Sequence, residues 1–122
     1  MKQITTRLYL ANTISDEQLN RLSPNIIIVL NSGSTEDKTH QFCLSKGFVS
    51  KIHDISKPLD SEIDRYAKMS EFVFATGDKV LVISNDSHTM HSYAAKLLSS
   101  ATGMLPQDSM DFVRSKIGKT NN

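Results

Sequence analysis

Short unbroken apolar runs alternate along this chain with longer stretches in which apolar residues recur at helical spacing. Lys79-Val80-Leu81-Val82-Ile83 is mostly β-branched and follows Gly77-Asp78, which predicts a strand buried on both faces at the centre of a parallel sheet. Asn25 to Asn31, with Ile26-Ile27-Ile28-Val29-Leu30 inside it, predicts a second. Ile4 to Leu10 alternates and ends in a β-rich run, predicting the first strand of the chain; Phe48 to Ile55 is less apolar and reads as a strand nearer an edge. Ser15-Asp16-Glu17-Gln18 is a capping box that opens a short helix through Leu22, closed by Pro24. Gly33 and Ser34 make a turn, and Thr35 to Lys46 reads as a helix stopped by Gly47. After the break at Lys57-Pro58, Asp60 can cap a helix from Ser61 to about Thr76, with Ile63, Ala67, Phe72, Val73 and Phe74 inward. Polar residues from Ser84 to Met90 predict a loop, and Tyr93, Ala94, Leu97 and Leu98 a helix from about His91 to Gly103. Pro106 suits the first turn of a last helix carrying Met110, Val113 and Ile117.

The order β-α-β-α-β-α-β-α-α predicts an α/β fold, a central mainly parallel sheet with helices on both faces. In such sheets ligands bind at the carboxyl ends of strands, and a helix amino end favours anions. The strand, polar loop and helix of Lys79 to Leu98 therefore form the candidate site. Its binding residues are Ser84, Asn85, Asp86, Ser87, His88, Thr89, Met90, His91 and Ser92.

Composition narrows the function classes. At 122 residues the chain reads as one domain, residues 1–122, and a net charge of +1 gives no general ground for nucleic-acid binding. No apolar stretch approaches the roughly 20 residues a bilayer span needs, and Met1-Lys2-Gln3 does not open a signal peptide, so no membrane is expected. Cys43 is the sole cysteine; an intracellular, reducing setting and a core role for it follow. Lys51, Lys57, Arg65, Lys68 and Lys79 read as solvated charges, and Arg114, Lys116 and Lys119 as a mildly basic tail.

The candidate site resembles the phosphate loop of the cysteine-based dual-specificity protein phosphatases, a Val-Leu-Val strand followed by His-Cys-x5-Arg-Ser and a helix. Leu8-Tyr9-Leu10 and Val29-Leu30-Asn31 are similar to that family's first two strands. The resemblance implies the family's fold, and it also implies loss of its chemistry. Ser84 falls on the family's histidine, Asn85 on its nucleophilic cysteine, His88 on a glycine and His91 on its phosphate-clamping arginine; Ser92 alone is kept. The family's general acid falls on Ser56, with Asp54 two residues early. A carboxamide cannot attack phosphorus, and a histidine cannot reproduce a two-pronged guanidinium clamp. Asp86 would repel a divalent anion by several kcal/mol at ~5 Å and an effective dielectric of about 20. A histidine in place of glycine also implies a reshaped loop.

The resemblance thus implies a pseudophosphatase with no catalytic residue and no cofactor, acting as a protein-binding or scaffold module. The alternative is a module that binds a phosphopeptide or other anion at the degenerate loop without turnover. The chain stops at Asn122, where the family carries a further helix, so a shortened carboxyl end and an uncovered apolar patch serving a protein partner or a homo-oligomer are expected. His88 and His91 with Asp86 also suit a metal pair, but no third and fourth ligand at recognisable spacing accompanies them, so no metal is expected. Ser87, His91 and Asp86 lie too close along the chain for nucleophile–base–orienter geometry. The hydroxyls of Ser84, Ser87, Thr89 and Ser92 suit an oxyanion, and equally the loop's own backbone and the helix cap.

Overall fold

The computed structural model describes residues 1–31, 36–55, 60–70 and 77–118. The strands are β1 (Lys2–Gln3), β2 (Leu8–Ala11), β3 (Ile26–Asn31), β4 (Ser50–Asp54) and β5 (Val80–Ile83). The helices are α1 (Asp16–Leu22), α2 (Glu36–Ser45), α3 (Asp60–Ser70), α4 (Ser87–Thr102) and α5 (Pro106–Gly118). The sheet order is β1-β2-β5-β3-β4, parallel throughout except for β1 against β2. The predicted α/β class and mainly parallel sheet are the observed ones.

Side chains alternate between two cores, as strand geometry requires. Ile26, Ile28 and Leu30 join Val80 and Val82 on the face covered by α3, α4 and α5, with Ile63, Ala67, Tyr93, Leu97 and Val113. Ile27 and Val29 join Leu81 and Ile83 on the face covered by α1 and α2, with Leu19, Leu22 and Cys43. All four residues of β5 are buried, and β4 is an edge strand with Lys51 and Asp54 exposed.

Capping chemistry sets most boundaries where the sequence places them. Ser15 and Gln18 form the capping box of α1. Gly47, at φ 87°, follows α2, and Gly103, at φ 76°, caps α4. The chain leaves α1 through Ser23, left-handed at φ 49°.

Three expectations are corrected. Ile4 to Leu10 is not one strand. Thr5 Oγ1 accepts the amides of Arg7 and Leu8 at 3.1 and 3.0 Å, turning the chain between β1 and β2. Lys79 is not simply solvated: its Nζ donates to the Leu22 carbonyl at 2.9 Å, tying the end of α1 to the strand it precedes. The helix after β5 starts at Ser87 rather than His91. The turn expected at Gly33 and Ser34, the break at Lys57-Pro58, the inner-face residues Phe72, Val73 and Phe74, and Lys119 lie outside the described residues.

Candidate functional site

β5 ends at Ile83 between β2 and β3, and the chain passes through three residues before α4 begins. Ser84 is fully buried, and its hydroxyl accepts the Asp86 amide at 3.1 Å. Asn85 is exposed, at the bend. Asp86 is the N-cap: one carboxylate oxygen accepts the amides of His88 at 3.1 Å and Thr89 at 3.3 Å, and the other accepts the Thr89 hydroxyl at 2.9 Å. That hydroxyl bond, followed by the backbone bonds and the nearby His88, holds the Asp86 carboxyl below its ordinary value despite some burial.

Asn85, the position matching the family's nucleophile, thus lies at an exposed bend. Ser87 to Met90, expected in the loop, form the first turn of α4. Two of its N–H groups, those of His88 and Thr89, donate to a carboxylate of the chain itself. No left-handed residue lies between Ser84 and Ser92. The Asp86-x-x-Thr89 spacing was the available signal: an Asp three residues ahead of a hydroxyl, just before an apolar helix face, is an N-cap pattern.

The nine predicted binding residues separate into three groups. Asn85, Ser87 and His88 are exposed. Thr89 and Met90 are buried at 1 % and 4 % exposure, with Met90 in the core. Ser84 and Ser92 are buried, while Asp86 and His91 are half-buried. Burial lowers the His91 pKa, the charges of His88 and Arg114 lower it further, and Asp86 opposes them. Among the described residues no three His, Cys, Asp or Glu side chains gather as a metal-holding group.

One residue of the site escaped the sequence reading. Asn12, just past the carboxyl end of β2, donates through Nδ2 to the Ser84 carbonyl at 2.9 Å and to Ser87 Oγ at 3.2 Å. It pins the bend to the neighbouring strand. Its signal was positional: it lies at the carboxyl end of a strand that pairs in parallel with β5.

On the outer strand His53 is 8 % exposed and Asp54, which follows it, is exposed. Ser56, the position matching the family's acid, lies outside the described residues. Cys43, on the inner side of α2, is fully buried, and burial pushes its thiol pKa up. It is in the core, as expected, and belongs to the cluster on the α1/α2 face. No described helix is long and apolar enough to cross a membrane.

No family model and no curated protein matches the sequence. Solved structures do match. Tk-PTP in its active form superposes with a TM-score of 0.72 at 16 % identity, covering 94 % of this chain and 82 % of that one. Human DUSP28 gives 0.70 at 15 % identity, covering 95 % of this chain and 82 % of that one. The human tyrosine phosphatase-like serine/threonine/tyrosine-interacting protein gives 0.68 at 18 % identity, covering 95 % and 83 %. The α/β architecture built around β5 and α4 is the fold of the dual-specificity and tyrosine phosphatases.

Proposed function

We propose that this chain is a catalytically inert phosphatase-fold domain that works as a protein-binding or scaffold module. One observation carries the reading: the Asp86 carboxylate lies on the His88 and Thr89 amides, where a phosphatase loop would receive phosphate. A built-in anion competes with any external one at zero translational cost and repels a dianion besides. The residues around it agree. Asn85 has no nucleophilic atom, and the one thiol of the chain is buried elsewhere. Similarity in fold to a protein named for interacting with serine/threonine/tyrosine supports a binding role of this kind.

The test is turnover. Wild-type protein at high concentration releases no p-nitrophenol from p-nitrophenyl phosphate and no phosphate from phosphotyrosine or phosphoserine peptides. A rate abolished by Asn85→Ala overturns the inert reading. A protein that is monomeric by light scattering at high concentration and purifies without a partner overturns the scaffold reading.

A further inference from the structure

Between α3, α4 and α5 lies a cavity of about 240 Å³. Its floor is one side of α4, where Ser92, then Ala95 and Lys96, then Ser99 follow at three- or four-residue spacing and so share a face. Small side chains at three of these four positions leave space that larger ones would fill. Asp64 of α3 stands on one wall, and Pro106 and Met110 of α5 make another, apolar one. The volume falls below the roughly 300–1,000 Å³ of pockets that enclose drug-sized ligands, so the molecule that fits is smaller.

Ser92 points to a ligand. It is 6 % exposed and lines the cavity, yet its hydroxyl makes no hydrogen bond with any described residue. A buried hydroxyl is costly to leave unpaired. Ser99, by contrast, donates its hydroxyl to the Met104 carbonyl at 2.6 Å. Two charges of opposite sign also line this space without meeting: neither Asp64 nor Lys96 forms an ion pair with a described residue.

Each group sets one requirement. The Asp64 carboxylate accepts hydrogen bonds, the Lys96 ammonium donates them, and the Ser92 hydroxyl does both. Asp64 repels an anion and Lys96 repels a cation, whereas a molecule carrying both charges meets each with its opposite. The wall of Ala95, Pro106 and Met110 favours a short aliphatic group. We propose that this cavity binds a free α-amino acid with an aliphatic side chain. Its ammonium lies on Asp64, its carboxylate on Lys96 and the Ser92 hydroxyl, and its side chain against Met110. Of the nine residues expected to bind at the turn after β5, Ser92 alone lines this cavity. The site is separate from that turn, so its failure leaves the inert-domain reading standing.

L-Leucine is the probe, titrated at low ionic strength and followed by the methyl resonances of Ala95 and Met110, both of which shift and saturate. Blocking one charge at a time assigns the contacts. N-acetyl-L-leucine lacks the ammonium and L-leucinamide lacks the carboxylate, and each binds about tenfold more weakly. Asp64→Asn weakens L-leucine by a similar factor and does not weaken N-acetyl-L-leucine. Lys96→Gln weakens L-leucine and does not weaken L-leucinamide. Asp64 is exposed and Lys96 half-exposed, so both variants fold, and their amide spectra check it. A linear, non-saturating response overturns the site, as does a saturable one that leaves Ala95 and Met110 unmoved. Equal affinity for the three ligands, or variants that weaken all three alike, overturns the assignment of the two charges.

Discussion

The imidazole of His53 stacks on the ring of Tyr66, centroids 4.4 Å apart and planes 23° from parallel, joining β4 to α3. Tyr93 of α4 lies tilted at 6.5 Å from the same imidazole, so one titratable ring sits among three elements. Its Nε2 is buried with no hydrogen-bond partner among the described residues. Burial lowers the His53 pKa, Lys51 lowers it further, and Asp54 partly opposes.

A pH dependence of stability follows, and its sign is fixed. The unfolded chain binds the proton more readily, so this contribution is complete above the usual imidazole value of about 6.5 and declines as pH falls through it toward the lowered folded value. Denaturant midpoints measured from pH 8 to pH 5 fall on acidification. His53→Phe keeps a stacking ring and flattens the curve. His91, shifted in the same direction, adds to the slope with the same sign. An unchanged slope in His53→Phe would remove His53 from the account.

Asp86→Ala deletes an N-cap that makes three hydrogen bonds, and it lowers stability by about 0.5–2 kcal/mol. Asp86→Asn keeps an acceptor and loses less. The depressed Asp86 carboxyl contributes stability above the ordinary carboxylate range and loses it as pH falls through that range, so the two variants converge with wild type in strong acid. Thermal melts at pH 7 and pH 3 read both effects.

Restoring the two most evident missing groups does not restore a phosphatase. In Asn85→Cys with His91→Arg, the thiol and the guanidinium return, but Ser87 to Met90 remain helical and Asp86 still covers the first amides. The double variant shows no burst of p-nitrophenol and no turnover. A burst stoichiometric with protein would show that the turn reopens on demand.

Gly77 takes φ 79°, and a Cβ built there lies 3.2 Å from the Arg7 guanidinium. Gly47, at φ 87°, has open space around it. Both Ala variants lose about 1–2 kcal/mol for the left-handed backbone. At Gly77 the added Cβ meets only the far end of the flexible Arg7 side chain, which gives way by a few tenths of an ångström, so the two variants lose similar amounts. Urea midpoints of the two variants and wild type read the backbone cost, and a much larger loss in Gly77→Ala would show that Arg7 is held in place.

The sheet was legible because its apolar runs are long, β-branched and punctuated by caps. β3 and β5 stand out as strands buried on both faces, and Ser15, Gly47, Gly103 and Pro106 mark helix ends by known chemistry. What misled was local hydrogen bonding by polar residues. Thr5 folds the amino-terminal run back on itself, and Asp86 recruits four residues of an expected loop into a helix. Neither event changes hydrophobic periodicity, so periodicity could not reveal it. The candidate site shared this limit: its location at the end of β5 could be read, but its shape depends on where one carboxylate points. Asn12 contacts the bend from 72 positions away in sequence, a pairing that only the parallel register of β2 and β5 brings about.

Cys43 has no accessible surface and packs from α2 into the core against the sheet. Peroxide and alkylating reagents, which silence thiolate enzymes by reaching an exposed sulfur, find nothing to react with while the chain stays folded. The same residue becomes a clock: each modified molecule records one opening of the α2 face, so labelling kinetics measure how often that layer lifts.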